Sequence, residues 1–101
     1  MNWTATLIGW RGSAADITAA ERRFKAYMEA ELGSKLTDTY RAWLNASSQT
    51  HDTPREMWPA EARIAVELWE RPFAKACAQA LDSLPGKGSE AWFDVQLDGW
   101  P

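Results

Sequence analysis

The chain has 101 residues and a net charge of −3, from 11 Lys and Arg against 14 Asp and Glu. This length suits one domain and is too short for two, so we expect residues 1–101 to form a single domain. The acidic balance argues against nucleic acid as the main ligand, because phosphate contacts need a basic excess.

Cysteine usage and hydropathy bear on the compartment. Cys77 is the only cysteine, so no internal disulfide can form, which is typical of a reducing compartment. The apolar runs are far shorter than the roughly 18 residues that a membrane helix needs. No apolar segment follows a basic one near the N-terminus. We therefore expect a cytoplasmic protein without a membrane segment.

The first predicted element is a strand over residues 2–10, where β-forming residues alternate before the turn signal at residues 11–13. Its two faces carry Trp3, Ala5 and Leu7 on one side, and Thr4, Thr6, Ile8 and Trp10 on the other.

A first helix is predicted between Ser13 and Gly33. Ser13 with Asp16, or Thr18 with Glu21, can cap its start, and Gly33 is a natural stop. The predicted apolar stripe consists of Ile17, Ala20, Phe24, Tyr27, Met28 and Leu32.

A second, shorter helix is predicted over residues 36–46. Its apolar side carries Leu36, Tyr40, Trp43 and Leu44. The run from Ala46 to Asp52 is polar and aperiodic, which favours an exposed loop.

The third helix is predicted to start at Thr53-Pro54, with Thr53 as cap and Pro54 in the first turn. Pro59 lies close enough to this start to separate the first turn. Pro72 removes a backbone donor in mid-helix, and because the apolar stripe continues in phase across it we expect a kink. The predicted apolar face carries Ile64, Ala65, Leu68, Trp69, Phe73, Cys77, Leu81 and Leu84.

The last element is a strand over residues 90–98, with Phe93, Val95 and Leu97 on one face and Trp92, Asp94, Gln96 and Asp98 on the other. The predicted fold is therefore an α+β domain of order β-α-α-α-β. We expect its terminal strands to pair and to pack against the three helices, because an isolated pair of strands is marginal in water.

Seven tryptophans are more than a core of this size needs, so the alternatives are a Trp-heavy core and a surface where some rings meet a partner. The strongest candidate surface is the polar face of the last strand, since exposed aromatics among acids and amides are typical of protein interfaces. The predicted binding residues are Trp10, Arg11, Trp92, Asp94, Asp98 and Trp100.

The sequence supports a catalytic or metal site less well than it supports a binding surface. His51 with Asp52 resembles an acid–base pair, but it lies in a polar stretch without an evident nucleophile. Cys77 lies on an apolar stripe among alanines, which favours a core residue. Metal-ligand spacing is absent from the sequence. We therefore expect neither an enzyme nor a metal or cofactor site.

The leading hypothesis is a non-enzymatic binding protein with a protein partner. A small inhibitor or accessory protein of bacterial or phage origin, such as an anti-CRISPR protein, is one specific form, suggested by the Ala-, Arg- and Trp-rich composition and by analogy with small acidic domains. The alternatives are a self-assembling virion or tail component that pairs through its strand edges as a homodimer or larger assembly, and a small enzyme that uses His51.

Overall fold

The computed structural model describes residues 3–86 and 90–98 of the chain. Two short 3₁₀ turns, Gly33–Lys35 and Arg55–Met57, accompany the main elements. These elements are β1 (Trp3–Ile8), α1 (Ala14–Leu32), α2 (Leu36–Thr50), α3 (Ala60–Leu81) and β2 (Trp92–Leu97). The predicted α+β order β-α-α-α-β is confirmed.

The two terminal strands form one antiparallel sheet, in register from Trp3 opposite Leu97 to Ile8 opposite Trp92. The alternation predicted from the sequence is confirmed, since three residues of each strand face the core. These are Trp3, Ala5 and Leu7 of β1, and Phe93, Val95 and Leu97 of β2. Gly9 follows strand β1 with a φ of 81°, and a Cβ atom added there would lie 2.8 Å from the Glu90 carbonyl oxygen, so a side chain does not fit.

Helix α1 begins and ends where its sequence signals predict. The Ser13 hydroxyl accepts a hydrogen bond of 3.1 Å from the Asp16 backbone N–H, and Gly33 ends the helix with a positive φ of 53°. Phe24 and Met28 are fully buried under the sheet and the neighbouring helices.

Helix α2 is longer than predicted, and the expected loop over residues 46–52 is wrong. The helix continues to Thr50, and both Ala46 and Thr50 are buried. The Thr50 hydroxyl donates to the Ala46 carbonyl oxygen at 2.7 Å, so the helix itself satisfies this polar side chain. Ala46 packs with Val66 of α3, and this contact stabilises a segment whose composition suggests a loop.

The start of α3 corrects a second expectation. The signature at Thr53-Pro54 opens the separate 3₁₀ turn Arg55–Met57, as the position of Pro59 suggested, and the α-helix begins only at Ala60. Helix α3 then continues through Pro72 to Leu81 without a break. A kink at Pro72 stays a prediction.

The predicted apolar face of α3 is only partly buried: Trp69 and Cys77 are buried as predicted, but Ile64 and Leu68 are not. Ile64 and Leu68 are each 58% exposed, whereas Val66 between them is 1% exposed. The buried residues of α3 are Ala62, Val66, Trp69, Ala76, Cys77 and Ala80. Ala62, Ala76 and Ala80 let α3 approach its neighbours closely, so part of its buried face consists of small side chains.

Aromatic rings dominate the core. Phe24 stacks on Phe93 with ring centroids 4.4 Å apart, and it meets Phe73 edge-on at 5.5 Å. The ring centroid of Phe73 lies in turn 5.9 Å from that of Trp69. This series links the sheet to the surface where α2 and α3 meet. Within the described part of the chain, no helix combines the length and apolarity needed to cross a membrane.

Candidate binding groove

A groove of about 420 Å³ lies between helices α2 and α3 and the edge of β2 that faces away from β1. We call it the aromatic groove. It is lined by Tyr40 and Trp43 of α2, by Trp69, Glu70, Phe73 and Ala74 of α3, and by Trp92, Phe93, Asp94 and Val95 of β2.

The walls of the aromatic groove are rings that already pack on each other. Tyr40 lies 4.8 Å from Trp69 and 5.7 Å from Trp43, measured between ring centroids. Trp69 is almost fully buried, and it supports the partly exposed rings of Tyr40, Trp43 and Phe73. The walls are therefore held in place before any ligand arrives, which lowers the entropic cost of binding.

Two carboxylates lie among these rings. Glu70 accepts a hydrogen bond of 3.4 Å from the indole N–H of Trp43, which holds the carboxylate against the ring. Asp94 is half-buried on the outward face of β2, opposite Thr6. Burial raises the pKa of Tyr40, and the negative charge of Asp94 raises it further, so this carboxylate acts close to the phenol. Among the described lining residues none is basic.

On both outer edges of the sheet, a side chain forms a hydrogen bond with a backbone group of the strand. The Tyr40 hydroxyl donates to the Val95 carbonyl oxygen at 3.0 Å on the β2 edge. On the β1 edge, the Leu7 backbone N–H donates to the Glu21 carboxylate at 2.8 Å. Both groups would otherwise be available for pairing with another strand.

Two of the six predicted binding residues line the aromatic groove. Trp92 is 47% exposed and Asp94 is half-buried, and they lie on the same face of β2 as the alternation predicts. Trp100 lies outside the described residues.

Of the other predicted residues that the structure describes, none lines the groove. Trp10 is partly buried against the core, and its indole N–H donates to the Pro85 carbonyl oxygen at 3.3 Å. Arg11 and Asp98 are exposed, and neither lines the groove. The predicted binding residues therefore do not form one surface, and of those described only Trp92 and Asp94 lie at the groove.

Sequence reasoning missed most of the groove lining. Tyr40, Trp43, Trp69 and Phe73 were assigned to the core because they lie on helical apolar stripes, and Trp69 does lie there. The others have one side packed and the other open to the groove. Glu70 carried no signal, because a charged residue beside a helical stripe is ordinarily solvated.

The sites considered for chemistry have ordinary surroundings. His51 lies 3.1 Å from the Asp52 carboxylate and 3.1 Å from the Ser48 carbonyl oxygen. The His51 and Asp52 side chains are 70% and 88% exposed, so nothing around them excludes water. Cys77 is buried in the core. Within residues 3–86 and 90–98, no group of three or more His, Cys, Asp or Glu residues could hold a metal ion.

A second surface lies on the opposite side of α3. Ile64 and Leu68 project there beside a shallow groove of about 380 Å³, whose rim carries the ion pair between Lys75 and Glu31 at 3.5 Å. The charges on this rim are of both signs, since Glu67 and Arg71 also lie there. This surface therefore lacks the one-signed charge of the aromatic groove.

Comparisons with known proteins identify no relative of this chain. No protein-family model, curated protein or solved structure matches the chain.

Proposed function

We propose that the chain is a non-enzymatic protein-binding module whose contact surface is the aromatic groove. The observation that carries the proposal is Trp92, a large ring left 47% exposed beside a wall of packed aromatics. Tryptophan and tyrosine are enriched among the residues that dominate binding energy at protein interfaces, since they bury much area at little entropic cost.

The specific form we propose is a small inhibitor or accessory protein of bacterial or phage origin that acts on a larger protein complex, for example an anti-defence or anti-CRISPR protein. This form has its support in the composition and acidic charge of the chain, and in analogy with other small binding domains.

Self-assembly through the strand edges has less support than the groove. A second copy that added a strand to β2 would have to displace the bond from Tyr40 to Val95. On β1 it would have to displace the bond from Leu7 to Glu21. A binding mode that uses side chains in the groove leaves both bonds intact.

The test is an affinity pull-down from bacterial lysates, read by mass spectrometry, with wild type beside Trp92→Ala. Leu68→Ala is the matched control, because it also removes an exposed apolar side chain but lies on the opposite side of α3. Circular dichroism and thermal unfolding establish that both variants fold.

We expect a stoichiometric partner that wild type and Leu68→Ala retain, and an affinity at least about tenfold weaker for Trp92→Ala. A partner that Leu68→Ala loses and Trp92→Ala keeps would contradict the aromatic groove as the contact surface. Recovery of only further copies of the chain, with a mass that rises with concentration, would favour self-assembly.

A further inference from the structure

The aromatic groove combines negative charge with ring faces. Glu70 and Asp94 are its only charged lining residues among those described, and both carry negative charge. The faces of Trp and Tyr attract cations, and a cation between ring and carboxylate gains from both. From this juxtaposition we infer that the aromatic groove binds the guanidinium group of an arginine side chain presented by a protein partner. The inference rests on the proposed function and names the chemistry of the bound group.

Arginine fits the geometry better than lysine does. The guanidinium is planar, stacks on aromatic faces and donates two parallel hydrogen bonds to one carboxylate, whereas an ammonium is a compact and strongly hydrated charge. Glu70 is already oriented by the Trp43 indole, so one of its oxygens is held while the carboxylate still has acceptor capacity. The volume of about 420 Å³ leaves room for an arginine side chain with its apolar stem.

The same chain already places its own cations over tryptophan rings elsewhere. The Arg55 guanidinium lies 5.1 Å from the ring centroid of Trp58, and the Lys25 ammonium lies 5.1 Å from that of Trp3. The ring of Trp92 is more exposed than that of Trp3, so it is open to the equivalent contact with a cation from a partner.

The hydrogen bonding at the edge of β2 also favours binding of a partner's side chain in the groove over pairing of a partner's strand with β2. The Val95 carbonyl oxygen, which an added strand would need, already accepts from Tyr40. An arginine that enters from the solvent side contacts Trp92, Asp94 and Glu70 without disturbing this bond.

The experiment is an NMR titration of the folded protein with N-acetyl-L-arginine amide, followed at the indole N–H resonances of Trp43 and Trp92. N-acetyl-L-citrulline amide, a neutral molecule of nearly the same shape, and N-acetyl-L-lysine amide are titrated in parallel. We expect saturable shifts with the arginine probe, weaker binding of the lysine probe, and binding by the citrulline probe weaker by about fivefold or more.

The groove carboxylates are then neutralised one at a time in Asp94→Asn and Glu70→Gln. We expect each variant to weaken binding of the arginine probe about threefold to fivefold. Glu29→Gln, with the same charge change at an exposed position of α1 outside the groove, should bind within about twofold of wild type. Thermal unfolding of each variant separates lost binding from lost folding.

Equal binding of the arginine and citrulline probes would overturn the inference, as would tighter binding of the lysine probe. An equal loss in Glu29→Gln would assign the effect to net charge and overturn it too. A protein partner that depends on Trp92 could still bind Asp94→Asn and Glu70→Gln as tightly as it binds wild type. That result would overturn the arginine assignment and leave the proposed function standing. A saturable arginine site with no Trp92-dependent protein partner would support guanidinium binding in the groove and contradict the proposed function.

Discussion

The hydroxyl group of Tyr40 donates a hydrogen bond of 3.0 Å to the carbonyl oxygen of Val95, and so joins helix α2 to the outer edge of strand β2. The two residues are 55 positions apart in the chain. The bond fixes the spacing between one wall of the aromatic groove and the other. Stability and the shape of the groove therefore depend on the same contact.

Tyr40→Phe should remove this bond and keep the ring. The Val95 carbonyl oxygen would lose the hydrogen bond from Tyr40 at a partly buried edge, so we expect the free energy of unfolding to fall by about 1 kcal/mol. Urea denaturation followed by tryptophan fluorescence measures the loss. Tyr27→Phe, at an exposed position of α1, is the control and should change stability by less than about 0.5 kcal/mol. Equal effects of the two substitutions would contradict this role of Tyr40.

The bond from Leu7 to Glu21 gives a matching prediction for the other edge of the sheet. Glu21→Ala removes the acceptor of a part-buried backbone N–H, which should cost about 1–3 kcal/mol. Glu21→Gln keeps an acceptor oxygen and should cost less than Glu21→Ala. Glu29→Ala, at an exposed position on the same helix, should be close to neutral. A loss in Glu29→Ala as large as that in Glu21→Ala would show that the Leu7 contact adds nothing.

The orientation of α3 is tested by comparing two aliphatic residues two positions apart. Val66 is 1% exposed and Leu68 is 58% exposed. Val66→Ala should lower the free energy of unfolding by about 2 kcal/mol, because it removes two buried methyl groups and leaves a cavity. Leu68→Ala should stay within about 0.5 kcal/mol of wild type. A larger loss in Leu68→Ala than in Val66→Ala would mean that Leu68 faces the core and Val66 does not.

These contacts also show how far sequence reasoning extends. The strands were predictable because side chains alternate strictly between two faces, so Trp92 and Asp94 were placed on the outward face correctly. The buried face of α3 was predictable only in part. Trp69 and Cys77 lie there as expected, but alanines such as Ala62 and Ala76 have a weak apolar signal and are buried only when a neighbouring helix comes close.

The aromatic groove lies at the limit of such reasoning. Trp92 and Asp94 could be selected from their own strand, but Tyr40 and Glu70 belong to two other elements. Their convergence depends on how α2 and α3 pack against the edge of β2, which no local pattern records. Half-packed rings and fully buried rings also share the same helical spacing, so Trp43 and Trp69 look alike in the sequence.

Cys77 gives a prediction on pH. Burial raises the pKa of its thiol to about 11, although a hydrogen bond from the Phe93 backbone opposes the rise. In the unfolded chain the thiol ionises at lower pH, so the folded state binds more protons between these values. The stability from this group is therefore fully present below about pH 8.5 and is lost as the pH rises towards about 11.

Urea denaturation at pH 8, 9 and 10 measures this loss in wild type and in Cys77→Ala. We expect the free energy of unfolding to fall more steeply with pH in wild type, since the variant has no thiol to ionise on unfolding. Tyr40, whose pKa is also raised, adds to the loss only above about pH 10 and does so in both proteins. The absolute stability of Cys77→Ala does not enter the comparison, because only the two slopes are compared. Parallel slopes would show that the Cys77 thiol ionises equally easily in the folded and unfolded chains.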